Sequence, residues 1–218
     1  NKEESIIMSF DPTTMPVAGK EPMLLLDVTG SMNWPASGST STARKTVIQE
    51  AISIVVEALA KEDSEAAHEE SGGGLRTVTF ANGQATDIED LNPGNLRTKW
   101  EHIVWDGGTL IMPGWNKLME VYADEFGSKP ASARPKLLAL IVTDGEARDF
   151  HQFAQLLKSL GGNIYVELAI LGYGSEHDNA LKDYQSAADQ NPGHVEVRTF
   201  GSQTDPQQIA NGLLQMIA

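Results

Sequence analysis

With 218 residues, 40% of them apolar and 21% charged, the chain has the size and mix of one large α/β domain rather than of a disordered tail or a membrane protein. Its 16 Lys+Arg against 30 Asp+Glu leave a formal net charge of −14, which repels phosphate backbones and anionic bilayers and attracts cations. Cysteine is absent, so disulfides, thiolate metal sites and cysteine nucleophiles are excluded. There is also no Asn-x-Ser/Thr pattern, no signal-peptide pattern and no apolar run near the ~20 residues that span a bilayer. These absences lean weakly towards a cytoplasmic setting, although a chain that opens on Asn1 is either processed or excised.

Residues 1–19 are hard to place and are taken as an N-terminal arm or extension, with one domain over 20–218. Met23-Leu24-Leu25-Leu26 is a continuous apolar run, as a central strand buried on both faces should be. Over 43–61, Val47/Ile48, Ala51/Ile52, Val55 and Ala58/Leu59 repeat with a helical period. The acidic run Glu62, Asp63, Glu65, Glu69 and Glu70 is expected to be a solvated helix end and loop. Thr77–Phe80 is β-rich, and Asn82-Gly83 suits a two-residue type I′ turn, so 75–81 and 84–89 are expected to form a hairpin. A helix over 113–126 follows, with Trp115, Leu118, Met119, Tyr122 and Phe126 on one face. Next come the strongest strand, 136–142, a helix over 149–160 and a strand over 164–171. A helix near 177–190, a strand over 195–200 and a helix over 206–217 complete the chain. That last helix carries start chemistry: Asp205 can cap, Pro206 fits the first position, and Gln208 can close a capping box. About six strands and six helices alternate. They predict a doubly wound, mostly parallel six-stranded sheet with one antiparallel edge strand and helices on both faces, a Rossmann-like arrangement.

In such sheets ligands bind beyond the carboxyl ends of the strands, where strand order reverses. The two best strands run into Asp27-Val28-Thr29-Gly30-Ser31 and Thr143-Asp144-Gly145-Glu146, and between them lies Asp106-Gly107-Gly108-Thr109. If those strands are neighbours, the three loops meet in one crevice. Hydroxyls and carboxylates are all oxygen donors, which suits a hard cation such as Mg²⁺, with Mn²⁺ or Ca²⁺ as other possibilities. Alternate residues of an extended turn project to one side, and Gly30 is expected to let the backbone curl around the ion. Asp106 is expected to shape its loop. Asn33, Trp34 and Glu146 belong to the rim or to the shell behind the ligands. Taken singly, Asp27 and Ser31 serve equally as caps or turn formers. Thr109 serves equally as a helix cap, and Trp34 either lines the rim or folds onto the core. Trp100, Trp105 and Trp115 are expected in the core, and the five histidines form no ligand-like pair.

Taken jointly, Asp27-Val28-Thr29-Gly30-Ser31, Thr109 and Asp144 resemble the metal-ion-dependent adhesion site of von Willebrand factor A domains, over roughly residues 20–218. The resemblance implies one divalent cation touched by Thr29, Ser31 and Thr109, with Asp27 and Asp144 bound directly or through water. It implies a protein partner supplying an Asp or Glu carboxylate, and names no pathway or oligomeric state. The alternatives are a metal-dependent hydrolase or phosphatase, or an interaction domain whose metal site is not used for binding. A phosphotransferase of the haloacid-dehalogenase type needs a second Asp where Thr29 stands. No Gly-x-x-x-x-Gly-Lys-Ser/Thr, Gly-x-Ser-x-Gly or His-Glu-x-x-His motif occurs.

Overall fold

The computed structural model describes residues 19–66 and 74–218. The arm expected over 1–19 and the 67–73 part of the acidic run lie outside them, save Gly19. Six strands, β1 (Lys20–Asp27), β2 (Leu75–Ala81), β3 (Gln84–Leu91), β4 (Lys136–Thr143), β5 (Ile164–Leu171) and β6 (Val195–Gly201), form one sheet. Its order is β3-β2-β1-β4-β5-β6. Every neighbouring pair is parallel except β2 with β3. Asn82 and Gly83 have φ of 56° and 73°, the two positive values that a type I′ turn requires.

The helices are α1 (Arg44–Ala66), α2 (Leu96–Glu101), α3 (Ile111–Phe126), α4 (Phe150–Lys158), α5 (Ser175–Gln190) and α6 (Pro206–Ile217). Because strand side chains alternate between faces, β1 feeds two cores. Met23 and Leu25 pack with Trp115, Leu118, Phe153 and Tyr184 of α3, α4 and α5. Leu24 and Leu26 pack with Ile48, Ile52, Ile209 and Leu213 of α1 and α6, and with Trp100 of α2. At roughly 1.5–3 kcal/mol for each large apolar side chain removed from water, β1 and β4 are firmly held. That rigid centre carries the loops of interest. Leu26 lies opposite Val142 in the parallel β1–β4 register, so Asp27 and the Thr143–Asp144 turn leave the sheet side by side.

Three local expectations are corrected. The periodicity missed α2, whose six residues are too few for a repeat; only Leu96 and Trp100 are buried. Helix α3 begins at Ile111, not 113, so Pro113 falls in the first turn, where its missing N–H costs nothing. At α6, Asp205 does cap by accepting from Gln207 N at 3.0 Å, with Pro206 at the start. The capping box, however, is not closed by Gln208: Gln203 Oε1 takes the Asp205 N–H at 2.9 Å, and Gln203 Nε2 donates to Gln208 Oε1 at 2.6 Å.

One half-buried carboxyl far from these loops is expected to make the fold pH-sensitive. Glu167 on β5 lies opposite Glu196 on β6, and its Oε2 is buried without a hydrogen-bond partner. Burial first, and then the Glu196 charge, push the Glu167 carboxyl up from 4.5 to about 7. The native state therefore holds this proton where the unfolded chain has released it. Stability from this group is full below about pH 4.5 and is lost as pH rises to about 7. Glu167→Gln is expected to gain on the order of 1 kcal/mol at pH 8 after solvent screening, a rise of about 2–4 °C in Tm. At pH 4 it should gain nothing. Paired thermal melts at the two pH values check this, and an equal gain at both would refute it.

Candidate metal centre

The three loops do converge. Beyond β1 the chain makes a short 3-10 turn, Gly30–Asn33. The segment 106–109 is tied to it by Gly30 N donating to Gly107 O at 3.0 Å. The hydroxyls then meet: Thr109 Oγ1 donates to Thr29 Oγ1 at 3.0 Å, and Thr29 Oγ1 lies 3.2 Å from Ser31 Oγ. Thr29 Oγ1 also donates to Asp27 Oδ1 at 2.6 Å. Asp27, Thr29, Thr109 and Asp144 are buried, while Ser31 is partly open. Above them lies a cleft of about 450 Å³ lined by Gly30, Ser31, Trp34, Thr109, Glu146 and Arg148 among others.

Each local alternative has an answer in the geometry. Asp27 does accept from Thr29 N at 3.0 Å, a turn hydrogen bond, but the same carboxylate also reaches Thr143 Oγ1, which donates to Oδ2 at 2.7 Å. The short turn has no side-chain cap, so Ser31 is not spent on capping. Thr109 is not the cap of α3 either. Asp149, at the mouth of α4, accepts from Ile111 N and Met112 N at 2.9 and 3.0 Å, leaving the Thr109 hydroxyl for Thr29. Trp34 turns outward, 52% exposed, on the rim. Asn33 donates to Trp105 O at 2.8 Å and to Gly30 O at 3.2 Å, so it braces the loops. Asp106 Oδ1 accepts from Gly107 N at 2.7 Å and shapes its own loop.

Gly30 lies outside the positive-φ region, and a Cβ there would stand 3.4 Å from Gly107 O, an ordinary contact. The expected need for glycine at that position is therefore not met. It falls on Gly107, whose φ is 84° and whose Cβ would strike the Asn82 side chain at 2.3 Å. Asn82, which the sequence marks only as a turn former, accepts from Gly108 N through Oδ1 at 3.3 Å, and its N–H donates to Gly108 O at 2.8 Å.

The residues that sequence reasoning missed all act on the carboxylates or on the loops. Thr143 holds Asp27, and its Oγ1 also accepts from Gly145 N at 3.0 Å. Arg44, the first residue of α1, donates from Nη1 to Asp144 Oδ2 at 2.9 Å, with both side chains essentially buried. Asp144 Oδ1 accepts from Glu146 N at 3.2 Å, and His177 Nδ1 lies 3.1 Å from Asp144 O. Arg44 carried one signal. A cation in the first turn of a helix opposes the macrodipole, so its presence calls for a partner.

Among the described residues no three His, Cys, Asp or Glu side chains gather as a metal cluster. A cation here would rest on hydroxyls and two carboxylates, the donor set of a hard ion that keeps several waters. The charge of the site fits that role. Burial first, and then the charge of Asp144, push the Asp27 carboxyl up from 3.8 to about 7. Both causes act against the charged form of Asp27, and a cation bound beside the carboxylate would favour that form.

No family model matches the chain, and no curated protein does. Solved structures do. The PilB minor pilin of Streptococcus sanguinis superposes with TM-score 0.60 at 14% identity, over 93% of this chain. This chain spans 62% of that pilin's length. The SpRpn10 VWA domain gives TM-score 0.57 at 11% identity, covering 91% of this chain and 94% of that one. The manganese-loaded TRAP protein of Plasmodium vivax gives TM-score 0.55 at 16% identity, covering 92% and 74%. Identities this low carry the fold and nothing finer. The fold is the Rossmann-like fold of von Willebrand factor A domains.

Proposed function

We propose that this chain is a divalent-cation-dependent protein-binding domain of the adhesion or scaffolding kind. In this reading Asp27, Thr29, Ser31, Thr109 and Asp144 hold one cation, Mg²⁺ before Mn²⁺ or Ca²⁺, directly or through water. The observation that carries it is the continuous set Asp27–Thr29–Ser31–Thr109, of which Ser31 and Thr109 line an open cleft, built by loops that are distant in sequence. That one protein of this fold is solved manganese-loaded supports the reading. A cation bound here supplies a Lewis-acidic position, for which a carboxylate from an Asp or Glu of a partner protein is the fitting ligand. The nearby imidazole of His177 does not favour the hydrolase alternative: it is buried, with Nδ1 on the Asp144 carbonyl.

Calorimetric titration with Mg²⁺ and Mn²⁺ tests the reading. The wild-type protein should bind one cation, and saturation at about 100 Kd should add about 2.7 kcal/mol to its stability, reversed by EDTA. Thr109→Ala should weaken binding at least about tenfold while costing only the order of 1 kcal/mol in the cation-free protein. Unchanged affinity in Thr109→Ala, or no binding in the wild type, would overturn it.

A further inference from the structure

The side chain that sets the charge of this site lies outside the ligand set. Arg44 is 2% exposed, and its Nη1 holds Asp144 Oδ2 at 2.9 Å. Its guanidinium lies 5.7 Å from the ring centroid of Trp34, which lines the cleft, and 5.8 Å from that of Tyr173, and both rings are themselves exposed. On a further side it meets backbone: a Cβ at Gly172, where φ is 104°, would stand 3.2 Å from Arg44 Cζ. Its backbone N–H donates to Trp34 O at 2.9 Å. The guanidinium is thus fitted into a slot between two aromatic rings and a glycine, and is no freely moving surface charge.

We infer that Arg44 is the specificity-determining counter-charge of the metal centre: it weakens the site's hold on the cation and makes the loaded site accept an anion. The inference rests on the proposed cation site and adds the residue that sets its charge. Two buried carboxylates, Asp27 and Asp144, against one buried guanidinium leave a single negative charge when both acids are ionised. A divalent cation reverses this to a single positive charge. Without Arg44 the loaded centre would be neutral, and a partner carboxylate would be desolvated with no excess charge to meet it. On the rim, Arg148 and Glu146 line the cleft with opposite charges, so the inner residues decide the sign. Arg44 also occupies one oxygen of Asp144, and the Glu146 N–H occupies the other. The Asp144 carboxylate is thereby held in place whether or not a cation is bound.

The test uses Mn²⁺ alone, then Mn²⁺ with acetate, on the whole chain. Arg44→Gln removes the charge and keeps a donor amide. It should bind Mn²⁺ at least about tenfold more tightly, because a like charge has been removed from a low-dielectric site. Acetate should perturb its Mn²⁺ relaxation signal at least about tenfold less well than in the wild type. Arg44→Lys keeps the charge and should restore both affinities to within about threefold of wild type. Circular dichroism at the assay temperature establishes that each variant is folded. If Arg44→Gln does not fold, Arg44→Lys against wild type at rising ionic strength replaces it, with matched acetate responses expected. Weaker or unchanged Mn²⁺ binding in a folded Arg44→Gln would overturn the inference and leave the proposed function standing. Absence of Mn²⁺ binding in the wild type would instead remove the proposed function itself.

Discussion

Asp144→Ala is expected to lose about 3–5 kcal/mol of folding stability with no divalent cation present, the cost of leaving a buried charge without its partner. The residue left behind is Arg44, whose side chain is 3% exposed against 0% for Asp144. Its Nε already lacks a hydrogen-bond partner, so little remains to compensate a second loss. Urea unfolding in EDTA measures the effect cleanly, since metal linkage is then absent. The double variant Arg44→Met with Asp144→Ala should lose less than Asp144→Ala alone, because the orphaned charge is gone. A loss below about 1 kcal/mol in Asp144→Ala would mean that Arg44 finds water or another acceptor, and that the pair is not a structural one. The expectation bears on how the metal site should be probed. Loss of cation binding in Asp144→Ala would mix a missing ligand with a loosened fold. Thr109→Ala separates them, since its hydroxyl makes one hydrogen bond, to Thr29 Oγ1, and no ion pair.

How much of this was legible in the sequence follows from the range of the interactions involved. Strands buried on both faces announce themselves as unbroken apolar runs, which is why 23–26 and 136–142 stood out and their adjacency could be framed as a condition. The β1–β4 pairing meets that condition, and with it Asp27 and the Thr143–Asp144 turn come together. Thr29 and Ser31 follow because they sit two and four residues beyond Asp27 in one turn. Thr109 reads two ways in the sequence, since a threonine after two glycines and before a helix is also a cap. What freed it is the Asp149 carboxylate, 38 residues from the Ile111 amide that it accepts from, and no local pattern encodes that. Arg44 and Asp144 are 100 residues apart. The positive side chain at a helix N-terminus was the only trace of the pair, and periodicity analysis does not weigh it. Gly30 shows the opposite error. Glycine was explained by the ion, although the steric demand falls on Gly107, where the β2–β3 turn presses Asn82 against the loop.

A close packing contact behind the site gives the other large expected effect, on Gly114. It lies in the first half of α3, and a Cβ there would stand 2.8 Å from Phe80 Cβ, 2.9 Å from Phe80 Cγ and 3.0 Å from Leu25 Cδ1. Phe80 and Leu25 are both fully buried on β2 and β1, so neither has room to retreat. Two opposing terms decide the outcome. In an exposed helix, Gly→Ala gains about 1 kcal/mol of propensity, whereas forcing carbon into a filled core costs typically 1–3 kcal/mol. At these separations the overlap wins. Gly114→Ala should be destabilised by about 1 kcal/mol and Gly114→Val by about 3 kcal/mol, a fall of roughly 6–12 °C in Tm. The displaced element matters for function as well. Helix α3 starts at Ile111, two residues after Thr109, and Phe80 O accepts from Val28 N at 3.1 Å beside Asp27. Pushing α3 away from β1 and β2 therefore moves Thr109 relative to Thr29. Gly114→Ala, still folded at 20–25 °C, should bind Mn²⁺ more weakly than wild type although no donor atom has been removed. A stabilised Gly114→Ala protein would show that α3 can shift freely, and the 3.0 Å Thr109–Thr29 contact would then not depend on how closely α3 is seated.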